Sequence, residues 1–351
     1  MIGIDLFSGA GGMSLGAKMA GVDVQQVVEQ DYHAAQTYLI NHVPINGVFV
    51  DDIRKFKPKK VVSRSGQPVM VFGGPPCQGF STSNQRTRSK ENTNNWLYEE
   101  FLRVVRDIRP EWVVFENVKG ILETEKGYFA NDIIEKLERI GYTTSARLLN
   151  ATDYGIPQRR SRFFVVGFLG RKEFIFPKPS HDKAVTVKQA ISDLPTLQNG
   201  ASNCYMKYTK KAYYSYAKEH RQKSNGCHNH LVTRNNSTVI ERYMHIPQGG
   251  NWEDIPESLM GNYVDRSRCH TGIYKRLING EPSVVIGNYR KNMLIHPTQN
   301  RGLSVREAAR LQSFPDDFRF IGSIGFQQQQ VGNAVPPLLA KAIFASIINQ
   351  S

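Results

Sequence analysis

One pattern constrains the first 170 residues most tightly: an apolar run, a glycine turn, then a helix. Ile2–Phe7 is the run, Ser8-Gly9-Ala10-Gly11-Gly12 is the turn, and Met13–Ala20 reads as a helix stopped by Gly21. Further elements alternate behind it. Val24–Glu29 and Met70–Phe72 read as strands. Leu97, Phe101, Val104, Val105 and Ile108 recur at helical spacing, and Pro110 ends that helix. Trp112–Phe115 is a buried-strand run. Asn131 is placed to cap a helix carrying Ile133, Ile134 and Leu137, closed by Gly141. Phe163–Phe168 is a further strand. This alternation predicts an α/β fold, a mostly parallel, Rossmann-like sheet with helices on both faces.

The pattern breaks near residue 171. From there to about 300 periodicity is poor, and Asn, Gly, Tyr, His and Lys are frequent. A second, smaller, loop-rich domain is expected there. Order returns at Ser304, which with Glu307 forms a capping box ahead of Ala308, Ala309 and Leu311. The last helix, from Pro337 to about Ile348, is apolar enough to need a docking site on the first sheet. The expected division is a first domain over 1–180 completed by a C-terminal segment over 327–351, a second domain over 181–300, and a hinge and return segment over 301–326.

Charge narrows the class of partner. The 351 residues carry a formal charge of +14, and residues 171–300 hold 19 Lys and Arg against 10 Asp and Glu. Such a balance suits either a polyanionic partner such as nucleic acid or a merely solvated basic surface. The longest apolar stretches, such as 338–348, are broken by Lys341 and too short to span a bilayer. The strand-like start at Ile2 leaves no room for a signal peptide. Four cysteines without close pairing argue against a disulfide framework and for a reducing, cytoplasmic setting. Cys227-His228-Asn229-His230, Cys269-His270 and Cys204 match no standard zinc spacing, so no metal is expected.

Several motifs carry chemistry. Glycines after a first strand let a ligand approach the backbone, although Ser14 occupies the third glycine position of a dinucleotide fingerprint. Glu29 lies 20 residues past Gly9 at the end of the second strand, where an acid can hold ribose hydroxyls. Asp52 ends another short run and suits an adenine amino group. Each acid reads equally as a surface carboxylate. Cys77 follows a strand and the turn Gly73-Gly74-Pro75-Pro76, where the prolines fix the backbone. Glu116-Asn117-Val118 follows Trp112–Phe115 and brings a carboxylate to the same sheet edge. A thiol and a carboxyl group together suit covalent catalysis with an acid partner. In Gln158-Arg159-Arg160-Ser161-Arg162, alternation sets Arg160 and Arg162 on one face, able to pair with Glu116, phosphate or base.

The ordered set Asp5–Gly12, Glu29, Asp52, Gly73–Ser81, Glu116–Val118, Gln158–Arg162, Arg301–Phe318 and Gln330–Pro337 resembles the cytosine-C5 DNA methyltransferases of bacterial and phage restriction–modification systems. The resemblance implies a methyltransferase fold using S-adenosylmethionine, with a target-recognition domain in the region after 180. It implies that Cys77 is the nucleophile, with Glu116, Arg160 and Arg162 in the catalytic set. It implies a cofactor pocket from Asp5, Phe7, Gly9, Gly11, Glu29, Asp52, Ile53, Pro75, Leu97, Asn333, Ala334 and Val335. Burial of Glu116 would favour its protonated form, suited to donate to cytosine N3.

For DNA the resemblance implies a lid over Ser81–Asn95, with Ser81 and Arg86 on phosphates. It also implies recognition loops at Ile246–Trp252, including Gly249, Gly250 and Asn251, and at Ser283–Arg290, including Tyr289 and Arg290. Arg266, Arg268, Lys275 and Arg276 are expected on phosphates. The implied partners are double-stranded DNA and, functionally, a cognate restriction endonuclease, with the chain acting as a monomer and no membrane involved. Three alternatives remain at this point. The scaffold also serves tRNA cytosine methylation, whose usual Cys-Phe-Thr signature is missing here. A non-catalytic DNA-binding regulator is weighed against by the intact Cys77, Glu116 and Arg162. A nicotinamide-dependent oxidoreductase rests on the glycine turn alone, which Ser14 spoils.

Overall fold

The computed structural model describes residues 1–58, 66–76, 96–222, 224–261, 271–287, 289 and 293–351. The chain divides into two compact units: unit 1 holds 1–154, 161–180 and 335–351, and unit 2 holds 155–160 and 181–334. One boundary falls after residue 180, but three stretches differ from the division expected above. Residues 155–160, the whole return segment 301–326 and the first part of the C-terminal segment, 327–334, belong to unit 2. Hydrogen bonding explains the first: Gln158 donates to the Leu311 carbonyl (3.2 Å) and accepts from the Ile286 amide (2.8 Å).

Unit 1 is a seven-stranded sheet. Its strands are β1 (Ile2–Leu6), β2 (Asp23–Val28), β3 (Val48–Phe49), β4 (Val69–Gly73), β5 (Trp112–Val118), β6 (Tyr142–Asn150) and β7 (Ser161–Leu169). Their order is β3-β2-β1-β4-β5-β7-β6. The first five run parallel, and β7 pairs antiparallel with both β5 and β6. Ile4, Leu6, Val71, Val113 and Phe115 are fully buried, as central strands covered on both faces require. The chain winds outward from β1 through β3 and then crosses back to β4. The C-terminal ends of β1 and β4 therefore flank a topological switch point, where open α/β sheets bind ligands.

Helices α1 (Gly12–Met19), α2 (Tyr32–Asn41), α3 (Leu97–Ile108) and α4 (Tyr128–Arg139) connect the strands. Asn131 lies inside α4, which starts earlier than its sequence signal suggested. Gly127, left-handed at φ 82°, precedes its first turn. The last helix, Pro337–Ile348, docks on α1 as its apolar face demands. A Cβ on Gly16 would stand 2.5 Å from Ala340 Cβ and from the Pro337 carbonyl oxygen, so glycine sets that approach.

Unit 2 contains α5 (Val187–Ile191), α6 (Ser215–Arg221), α7 (Ser237–His245), α8 (Val305–Leu311) and α9 (Ile324–Asn333), with a two-stranded ribbon of β8 (Tyr205–Lys207) and β9 (Gly226–His228). Its interior holds buried ion pairs. Arg310 bonds Asp316 and Asp193, and all three side chains are buried. The Ser304–Glu307 capping box forms as expected, and Arg301 pairs with Glu307 at 2.6 Å.

Candidate active site

The turn after β1 is shaped for close approach. Phe7, Gly9 and Gly11 all take positive φ, at 61°, 54° and 90°. A Cβ on Gly11 would lie 2.8 Å from the His42 and Tyr38 rings, so that position excludes side chains. Glu29, at the end of β2, accepts from the Gly9 amide at 2.6 Å and from the Asp31 amide at 2.7 Å. It thereby ties the glycine turn to the neighbouring strand. Burial, the largest influence, raises the Glu29 carboxyl above its usual range.

Beneath the turn lies a chain of polar groups that the motifs alone did not reveal. Tyr38 Oη donates to Ser14 Oγ at 2.9 Å, and Ser14 Oγ donates to Asp5 Oδ2 at 2.5 Å. The serine that breaks the dinucleotide fingerprint thus pins α1 to β1 and α2. Asp5 is 1 % exposed. Burial pushes its carboxyl up to about 8, against the lowering bond from Ser14. His42, packed below Gly11, is pulled down to about 4 by burial and by the Lys18 charge.

The remaining cofactor candidates divide between the units. Asp52 caps the short turn Ile53–Lys55 and pairs with Arg54 at 3.0 Å, while Ile53 is buried in the core. Leu97 is partly buried against the same core, and Pro75 is buried with its carbonyl accepting from Asn117 Nδ2 at 3.2 Å. Val335 belongs to unit 1, whereas Asn333 and Ala334 end α9 in unit 2.

Two members of the catalytic set, Glu116 and Arg162, meet at the carboxylate edge of unit 1. Arg162 Nε stands 2.8 Å from Glu116 Oε1, with side chains only 10 % and 8 % exposed. The register explains the pairing: Val118 faces Arg162 across the β5–β7 ladder, so Glu116 is the diagonal neighbour two residues on. The two glycines before the prolines have separate reasons. A Cβ on Gly73 would strike the Leu6 carbonyl oxygen at 2.2 Å, and one on Gly74 would come within 2.5 Å of Glu116 Oε2. Gly74 therefore makes room for the carboxylate. Cys77 itself, with Ser81, Arg86 and the whole 81–95 segment, lies outside the described residues.

Arg160 takes a different position from Arg162. It is buried in unit 2 and donates to the carbonyls of Ile286 (3.1 Å), Gly332 (3.0 Å) and Ala334 (2.9 Å). A Cβ on Gly332 would lie 2.1 Å from the Gly287 carbonyl oxygen, so Arg160 clamps two closely packed backbones.

Among the DNA candidates, two expectations need correction. Arg276 is 5 % exposed, and its guanidinium donates to the carbonyls of Ile246, His296, Gln299 and Tyr243 and to Asn300 Oδ1. Five acceptors match its five N–H groups, leaving none for a phosphate. Tyr289 is 2 % exposed, so its ring is part of the interior rather than a surface for base edges. Gly249 is left-handed at φ 81°, and its amide bonds the Arg276 carbonyl at 3.0 Å. A Cβ on Gly250 would meet Asp254 Oδ2 at 2.4 Å. The Asn251 side chain caps the turn Trp252–Asp254. Arg266, Arg268 and Arg290 lie outside the described residues.

Comparison with known proteins agrees with this geometry. The family model described as C-5 cytosine-specific DNA methylase matches residues 1–349. The type II methyltransferase M1.HphI of Haemophilus parahaemolyticus is 38% identical over 99% of this chain and 87% of its own length. The type II methyltransferase M.DdeI of Desulfomicrobium norvegicum is 33% identical over 97% of this chain and 86% of its own. A solved structure described as a DNA modification methyltransferase encoded within an E. coli prophage superposes with a TM-score of 0.78, at 27% identity and 99% coverage of both chains. With a sheet whose switch point carries a glycine turn and whose next edge carries Glu116 and Arg162, the chain belongs to the C-5 cytosine-specific DNA methylase family.

Proposed function

We propose that Cys77 attacks C6 of a cytosine flipped out of duplex DNA, and that Glu116 and Arg162 make this attack possible. The observation that carries the reading is the buried Arg162–Glu116 pair at the end of β5, the strand paired with β4, which ends at Gly73 four residues before Cys77 in the sequence. Cytosine C5 is a poor nucleophile while the ring is aromatic. Bonding of the Cys77 thiolate to C6 breaks that aromaticity and leaves an enamine that is nucleophilic at C5. Negative charge develops toward N3, so a proton shared there by Glu116 lowers the barrier. Arg162 holds the Glu116 carboxyl in place. Once C5 is methylated, loss of the C5 proton to water re-forms the double bond and expels Cys77 as thiolate. A stacked base is inaccessible to such attack, and extrusion costs a few kcal/mol.

The donor that this family and fold imply is S-adenosylmethionine, which supplies the methyl group. The residues present fit it. The left-handed Gly9 and Gly11 give an open backbone turn, Glu29 sits beside Gly9 to take ribose hydroxyls, and Asp52 with Ile53 suits the adenine. Asp5, Phe7, Pro75, Leu97 and Val335, with Asn333 and Ala334, complete the proposed set. Arg160 acts here as a positioning residue. Recognition falls to the Gly249–Asn251 turn and to Arg290, with Ser81 and Arg86 on phosphates. We further propose a monomer acting in the bacterial cytoplasm, methylating a short site and so shielding it from a cognate restriction endonuclease.

The test is transfer of tritium from labelled S-adenosylmethionine to duplex DNA. The account expects transfer by the native chain and none by Cys77→Ser. Transfer to tRNA alone would overturn the substrate, and bisulfite sequencing of DNA from an expressing host would give the methylated motif.

A further inference from the structure

The segment 205–221 of unit 2 is used by none of the motifs above. It holds five tyrosines and five Lys or Arg residues against one acid, Glu219. Its underside is fixed by buried charge. The Arg221 guanidinium lies 3.7 Å from the Tyr208 ring centre, bonds Asp193 Oδ2 at 2.7 Å and donates to the Lys210 carbonyl at 2.8 Å. Tyr208 Oη donates to Asp316, itself held by Arg310. The Tyr208 amide bonds the Asn225 carbonyl, continuing the β8–β9 ribbon.

The outer side is the reverse. Lys207, Lys210, Lys211 and Lys218 are exposed, and among the described residues none of them pairs with a carboxylate. Tyr213 is 78% exposed and Tyr205 42% exposed. The two acids nearest in the network, Asp193 and Asp316, face inward and are already neutralised by Arg221 and Arg310. A rigid base carrying lysines without carboxylate partners and exposed aromatic rings is pre-organised for a polyanion, because little side-chain support must be ordered on binding.

We propose that this face of unit 2 is a sequence-independent contact for the phosphate backbone of duplex DNA, built on Lys207, Lys210, Lys211 and Lys218 and distinct from the recognition turns. The inference rests on the DNA methyltransferase reading. Its contribution is affinity and retention rather than choice of site, since phosphate contacts position a protein without reading bases.

The test uses the full chain and a duplex of A·T pairs only, which offers no cytosine to flip. Binding is measured across a salt series for the native chain, for a quadruple Lys→Gln variant at the four positions and for the matching quadruple Lys→Arg variant. Each phosphate that the protein no longer neutralises should flatten the dependence of log affinity on log salt by about 0.9. The Gln variant should therefore lose about 2–4 from the slope while the Arg variant keeps it, with unchanged melting and unchanged methyl transfer at saturating DNA and low salt. An unchanged slope in the Gln variant overturns the proposal, whether or not that variant loses binding to RNA or to a protein. A native chain that transfers no methyl group to DNA would sink the reading beneath it instead, so the two failures are separable.

Discussion

Replacing Gly74 by alanine separates the chemistry of this site from its stability. The new Cβ would lie 2.5 Å from Glu116 Oε2, whereas ordinary contact begins near 3.4 Å, so the carboxylate must retreat by about 0.9 Å. Its other oxygen is held by Arg162 at 2.8 Å, so retreat either compresses or breaks that pair. The displaced atom is the end of a side chain and Gly74 has no positive φ, so the fold need not rearrange. Overpacking costs roughly 1–3 kcal/mol, partly offset by the roughly 0.4–1 kcal/mol that alanine gains through a less flexible unfolded chain. Catalysis should suffer far more, because misplacing a reacting group by about 1 Å can cost roughly 100-fold. Initial rates of methyl transfer, with kcat and KM resolved, should show kcat down by about two orders of magnitude and KM for the methyl donor unchanged. Gly73→Ala gives the contrast. Its Cβ would meet the Leu6 carbonyl oxygen at 2.2 Å, a backbone atom that cannot swing away, so that variant should lose folded protein. Full native kcat in Gly74→Ala would refute the claim that the Glu116 carboxylate must stand where it does.

Three further outcomes follow from particular side chains. Asp5 has its folded carboxyl raised to about 8 from 3.8, so the folded state binds the extra proton between those values. That stability is full below about pH 4 and lost as pH rises through about 8, by at most about 6 kcal/mol. Denaturant melts of Asp5→Asn should lack this slope, and a native-like slope would contradict it. Ser14→Ala removes the link between Tyr38 and Asp5, so calorimetry should show several-fold weaker S-adenosylmethionine binding with kcat preserved at saturating donor. Arg276→Ala leaves four backbone carbonyls and the Asn300 side chain without their donor. It should destabilise unit 2 by about 3 kcal/mol or more while leaving the salt slope of DNA binding in the surviving folded fraction unchanged.

The parallel half of the sheet was legible because buried strands and glycine-stopped helices leave apolar runs, as at Ile2–Phe7 and Trp112–Phe115. Strand β6 was not. It is an edge strand, with Ala146, Arg147 and Leu148 exposed, so it lacks a buried run. Helix α2 was missed because its apolar residues do not form a clean stripe, as exposed Leu39 and Ile40 show. In the site, Glu29 and Glu116 with Arg162 were readable from strand ends and alternation. Alternation misplaced Arg160, because β7 begins only at Ser161 and the preceding residues join unit 2. Arg276 and Tyr289 misled for a related reason. Charge and aromaticity in a basic segment suggest a surface, and nothing local reveals that carbonyls from four distant positions converge on one guanidinium.

The central claim is a covalent bond between Cys77 and a DNA base, and trapping that bond tests it most directly. In duplex DNA carrying 5-fluorocytosine, C5 has no proton to lose after methylation, so Cys77 cannot be expelled and the adduct should persist. Incubation with S-adenosylmethionine followed by denaturing electrophoresis and peptide mass analysis should give a protein–DNA species bearing one methylated fluorocytidine on the peptide that contains Cys77. Cys77→Ser should give none. A stable adduct on any other residue, or methyl transfer to ordinary DNA with no trapped species on the fluorinated site, would contradict the account.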